Sequence, residues 1–206
     1  MPNYGLPWDI IGYRLISGYL PVMVLLIIYF VILQVSGKKQ KVGHIILSFV
    51  FEFYLVGILV MTGIWFKPSF SPRIVYIPFV DMIRGPVDTV LNVFLFIPLG
   101  FFLPIMYERH DRIIKILLTG LFISLSVELV QLFGSGATDI NDLITNTVGT
   151  CIGYGLCKIF QRIVPKSWFK ALSIEENWCY PELTVFWIGN MFLMITVQPV
   201  IYQTIR

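Results

Sequence analysis

The chain has 206 residues, of which 57% are hydrophobic and 13% charged, with a formal net charge of +3. Soluble domains carry about a quarter charged residues, so this composition excludes an ordinary water-soluble globule. The mean hydropathy of +0.81 reflects repeated apolar runs of about 20 residues, the length that crosses a hydrocarbon core roughly 30 Å thick.

In chain order, apolar spans are expected near 13–35, 43–65, 88–106, 113–133, 143–162 and 184–204, so the predicted fold is an all-α polytopic membrane bundle of about six transmembrane helices in a single domain over 1–206. The first run is preceded by Asp9 and followed by Lys38, Lys39 and Lys41. It reads as a retained anchor with its N-terminus outside, and six crossings then put the C-terminus outside as well. In this orientation ten of the fifteen basic residues fall on the cytoplasmic side: Lys38, Lys39, Lys41, Arg109, Arg112, Lys115, Lys158, Arg162, Lys166 and Lys170. They are topology signals rather than a nucleic-acid surface, because they lie between apolar runs without interleaved exposed aromatics.

Two connections carry patterns of their own. Residues 66–87 place four prolines around a short apolar stretch, which predicts an outer interfacial segment too short to span. Residues 163–183 place Trp168, Phe169, Leu172 and Trp178 among Lys and Glu, the pattern of either a cytoplasmic interfacial helix or a solvated linker. Cys151, Cys157 and Cys179 have no spacing that implies a disulfide framework or a metal site, and no cofactor is implied.

The informative residues are polar ones within apolar runs. Glu128 and Gln131 interrupt the fourth run. A carboxylate at the centre of a span is disfavoured by roughly 3 kcal/mol, so Glu128 is expected to face protein or a watery cavity. Asp88 and Asn92 open the third run four residues apart, and Asp142 and Asn146 repeat that spacing in the fifth, after Asp139. An i, i+4 pair shares one helical face. The topology therefore brings Asp88, Asn92, Glu128, Gln131, Asp139, Asp142 and Asn146 to one leaflet, where they would line an outward-facing pocket. Asp139 also suits a helix N-cap. Gly149 and Gly153 form a GxxxG step that permits close helix packing, Pro98 predicts a kink, and Glu52 reads as a separate structural group at another depth.

The ordered motifs across 77–156 resemble those of the VanZ-like family of bacterial membrane proteins. The segment from Tyr76 to Phe79 is similar to its IPF-type element, NVFLFIPLGFFLP to its Asn, Phe and Pro-Leu-Gly signature, VELVQLF to its E-x-x-Q element, and DINDLITNTVGTCIG to its D-x-x-D-x-x-x-N-x-x-G ending. The family commonly has an Arg before the first Asp of that ending, where this chain has SGAT at 135–138. Arg84 or Arg73 on the outer segment would be the replacement ion-pair partners.

The resemblance implies a role in glycopeptide resistance, specifically protection against teicoplanin, or in general envelope physiology. Three functions compete. The outer pocket would bind a membrane lipid, a lipid-linked envelope precursor or a lipoglycopeptide without chemistry. Alternatively, Glu128, Asp139 and Asp142 would serve as general acid/base or as ligands for Mg²⁺ or Ca²⁺ in an enzyme acting on a lipid-linked precursor; against this, His44 and His110 both flank cytoplasmic ends and no nucleophile or phosphate-loop motif is visible. Thirdly, the GxxxG face and the Trp168 segment would dock another membrane protein.

Overall fold

A computed structural model describes residues 8–64, 73–75, 79, 85–132, 137–174 and 179–205. It is a helical bundle. The elements are α1 (Trp8–Val35), α2 (Val42–Met61), β1 (Arg73–Val75), α3 (Pro86–Met106), a 3-10 turn (Glu108–His110), α4 (Ile113–Gln131), β2 (Ala137–Asp139), α5 (Ile140–Ile163), α6 (Lys166–Leu172), α7 (Cys179–Thr196) and α8 (Gln198–Ile205).

Among the described residues, α1 from Asp9, α2, α3 and α4 are long and apolar enough to cross a membrane, and α7 with α8 adds a fifth span if the bent pair is one crossing. This is fewer than the six expected. Helix α5 spans 24 residues, about 36 Å at 1.5 Å per residue, but Asn141, Asp142, Asn146, Lys158 and Arg162 dilute its apolar character. The run expected at 184–204 is broken at Val197, and its two halves meet at 50°. Pro199, in the first turn of α8, has no N–H to return to the carbonyl of Ile195.

The buried core joins Val22 and Leu26 of α1, Phe51 and Leu55 of α2, Phe96 and Leu99 of α3, Ile123 and Val127 of α4, and Phe186 of α7. Val24, Ile28 and Ile32 of α1, Leu118 and Phe122 of α4, and Ile188 and Phe192 of α7 point outward, as faces solvated by lipid do.

Helices α3 and α5 share the most extensive contact, because glycines remove the atoms that would separate them. A Cβ at Gly100 would lie 1.8 Å from the Thr150 carbonyl oxygen; at Gly149, 2.2 Å from that of Val93; at Gly153, 1.9 Å from that of Ile97. The GxxxG step thus serves packing within the chain, and the face proposed for an external partner is occupied by α3.

Helix α3 continues through Pro98 and Pro104. The Tyr54 hydroxyl donates to the Leu95 carbonyl at 2.8 Å and accepts from the Leu99 amide at 3.1 Å, bridging two groups that bond each other in an undisturbed helix.

The segment expected at 66–87 lies outside the described residues except for β1, Phe79 and 85–87. Within it, β1 pairs in parallel with β2, in the register Arg73 to Ala137, Ile74 to Thr138 and Val75 to Asp139. No strand was expected there. Within the expected linker at 163–183, α6 forms a short helix.

Candidate functional site

The polar residues gather where α3, α4 and α5 meet the β1–β2 pair, and the start of α5 organises them. Asp139 caps the helix: its Oδ1 accepts from both the backbone N–H and the side-chain Nδ2 of Asn141, each at 2.8 Å, satisfying donors that a helix start leaves open. The Asp139 amide in turn donates to Glu128 Oε2 at 2.8 Å, and the Thr138 hydroxyl donates to the Glu128 carbonyl at 2.9 Å. The end of α4 is therefore tied to the loop that starts α5.

From the other side, Asn141 Oδ1 accepts the Phe79 amide at 2.7 Å. Phe79 has a φ of 70°, in the left-handed region that an aromatic side chain seldom adopts. This bond anchors the approach to α3 onto α5.

Below this layer, Asn92 Nδ2 of α3 donates to Asp142 Oδ1 at 2.7 Å, and Asn146 Nδ2 donates to Ser124 Oγ of α4 at 2.9 Å. Glu128 and Asn146 are almost fully buried. Among the described residues, Asn146 Oδ1 accepts no hydrogen bond, an unmet capacity that is unusual for a buried polar atom.

Not every expected residue joins the group. Asp88 is exposed at the first turn of α3, above Asn92. Gln131 turns to α2, where its Nε2 donates to the Thr62 carbonyl at 2.8 Å. Arg84 lies outside the described residues, and so does the side chain of Arg73.

Electrostatically the site is acidic. Glu128, Asp139 and Asp142 supply three carboxylates, and no ion pair to Lys or Arg offsets them among the described residues. Their partners are amides and backbone N–H groups. Among the described residues, no three His, Cys, Asp or Glu side chains converge as a metal site would require. The arrangement offers oxygen acceptors to a cationic or hydroxyl-rich group.

A second polar cluster escaped the sequence reading. Glu182, fully buried on α7, accepts from Tyr29 of α1 at 3.0 Å and from Tyr107 at 3.1 Å, and its Oε1 lies 2.7 Å from His44 Nε2 of α2. His44 Nδ1 faces the Leu172 carbonyl at 2.8 Å. A carbonyl only accepts, so the His44 ring bridges the Leu172 carbonyl and the Glu182 carboxylate through its two nitrogens. Asn190 also donates to Glu52, as expected of a structural group remote from Glu128. Glu182 and Asn190, polar residues in or beside the last apolar run, were the available signal.

At this same end, His110 is buried. Burial, with a smaller contribution from the charge of Lys115, pushes its pKa down to about 4.

Comparison with known proteins agrees with the motif reading. No solved structure matches the chain. Protein VanZ of Enterococcus faecium is 44% identical over 73 residues, covering 34% of this chain and 45% of that relative, so less than half of the relative's length is matched. The VanZ/LLP1 family model matches residues 18–161, a stretch that runs from α1 through nearly all of α5 and includes every described residue of the acidic site, and the chain therefore belongs to the VanZ/LLP1 family.

Proposed function

We propose that the chain is a multi-pass protein of a bacterial cell membrane. Its acidic, amide-bearing site between α3, α4 and α5 binds the polar headgroup of an amphiphile: a membrane lipid, a lipid-linked envelope precursor or a lipoglycopeptide. By holding such a headgroup it contributes to teicoplanin-type glycopeptide resistance or to general envelope physiology. In this reading α5 is also a crossing, packed on its polar face against α3 and α4 and open to lipid along Val148, Ile152 and Ile159, so the chain crosses six times with both termini outside. The excess of basic residues at the opposite end supports that orientation.

The observation that carries the reading is the burial of Glu128 and Asn146 on adjoining helices, with Asn146 Oδ1 lacking a donor among the described residues. Burying such groups costs free energy, and a ligand donor would supply the missing bond. The family membership, with the resistance role that the motif resemblance implies, supports this reading. The metal-dependent enzyme reading has less support, since no three His, Cys, Asp or Glu side chains converge among the described residues.

The test is binding of teicoplanin to the purified full chain in nanodiscs. Saturable uptake that falls at least tenfold in Glu128→Ala and Asn146→Ala, with melting temperatures near wild type, supports the site. Uptake unchanged in both variants removes it from the explanation.

A further inference from the structure

At the basic end of the bundle, opposite the acidic site, a cavity of about 470 Å³ opens between α5 and α6. Asp111, Lys158, Gln161, Arg162, Lys166 and Phe169 line it. Three cations face one carboxylate, and Asp111 is already engaged by Lys158. Lys158 also donates to Gln161 Oε1 at 3.1 Å. Arg162 and Lys166 have no ion pair among the described residues.

The cavity adjoins apolar surface. Lys158 and Arg162 are one turn apart on α5, and Ile159 and Ile163 form the next stripe of that helix, 56% and 76% exposed. Trp168 of α6 is 65% exposed, in the manner of an indole at a membrane interface. Phe169, its neighbour, turns inward onto Phe160 with ring centroids 6.0 Å apart. A positive cavity beside a lipid-facing stripe fits a molecule with a phosphate at one end and hydrocarbon at the other.

We propose that Arg162 and Lys166, with the Lys158–Asp111 pair as the cavity wall, form a binding site for the phosphate of an anionic phospholipid whose acyl chain lies along Ile159 and Ile163. Arg162 supplies a planar fork of donors suited to phosphate, and Lys166 supplies a mobile point charge. The site clamps the end of α5 and α6 to the bilayer surface. It is independent of the acidic site and of any antibiotic.

The experiment titrates the detergent-purified full chain with phosphatidylglycerol and with phosphatidylcholine, counting bound lipid by native mass spectrometry. Wild type is expected to retain phosphatidylglycerol preferentially. Each cation near an anionic surface is worth about fivefold in binding, so the double variant Arg162→Gln/Lys166→Gln should lose roughly twenty-five-fold. Arg162→Lys, made alone, keeps the charge without the fork and should bind between wild type and the double variant, which separates charge from fold. The control Lys38→Gln/Lys39→Gln removes two charges from the same end but not from the cavity, and should retain the preference. Equal loss in that control, or no loss in the Arg162/Lys166 variant, overturns the proposal. Displacement of bound phosphatidylglycerol by millimolar inorganic phosphate would also overturn it, in favour of a soluble-phosphate site.

Discussion

Substituting Gly153 by Ala tests whether close approach of α3 and α5 holds the acidic site together. The added Cβ would lie 1.9 Å from the Ile97 carbonyl oxygen and 3.0 Å from the Phe101 amide nitrogen, both backbone atoms that no rotamer change can move. Restoring an ordinary 3.4 Å contact parts the helices locally by about 1.5 Å. The same parting at Asn92 and Asp142 would stretch their 2.7 Å hydrogen bond to about 4.2 Å, beyond bonding reach. Overpacking costs about 1–3 kcal/mol, and a hydrogen bond to a charged group contributes about 1.5–3 kcal/mol. A loss of about 3 kcal/mol or more is therefore expected, a fall in Tm of roughly 10 °C for a chain of this size, together with weaker headgroup binding at a site Gly153 does not touch. Gly155, two residues on, is the internal control: a Cβ there meets nothing within 4 Å. Gly155→Ala should leave Tm unchanged or raise it, since alanine favours the helix by about 1 kcal/mol. Thermal unfolding of both variants in detergent decides the matter. Equal melting of Gly153→Ala and wild type, or an equal fall in Gly155→Ala, would refute the argument.

Two further outcomes are expected at the opposite end of the bundle. Glu182→Ala strips the acceptor from Tyr29, Tyr107 and His44 at once and should cost about 3–5 kcal/mol, with Glu182→Gln recovering part of it; a Glu182→Ala protein that melts with wild type would refute the cluster's structural role. His110 is held neutral by burial, with a folded pKa of about 4 against an ordinary value of 6.5. The unfolded chain binds the extra proton first as pH falls, so this contribution to stability is complete above pH 6.5 and is lost between there and pH 4. In magnitude it is roughly 3 kcal/mol, and His110→Phe should flatten that part of a Tm-against-pH curve; an unaltered curve would show that His110 is not its source.

Much of the bundle is readable without coordinates, because crossing a membrane imposes a local requirement, about 20 apolar residues in succession. The runs at 13–35, 88–106 and 113–133 correspond to α1, α3 and α4 for this reason. The break at Val197 was hidden from the same reading: hydropathy counts apolar side chains, and Pro199 is silent in that count although it removes a backbone donor. The β1–β2 pair was hidden too, since three-residue strands 64 positions apart in register carry no periodicity of their own.

Residue order alone told that the chain carries apolar helices of membrane-crossing length, that Glu128 and Asn146 turn inward, and that Asp88 with Asn92 and Asp142 with Asn146 share helical faces, all consequences of burial cost and of a fixed helical repeat. Which groups then touch was decided only in three dimensions. Asn92 reaches Asp142 because Gly100, Gly149 and Gly153 let the backbones of α3 and α5 meet, while Asn146 reaches Ser124 and Gln131 leaves the group for Thr62 beside α2 through the rotation of α4 between its neighbours. The pairing of Glu182 with His44 across 138 residues has the same origin: a helical repeat orders side chains along one segment, and only packing orders segments against one another.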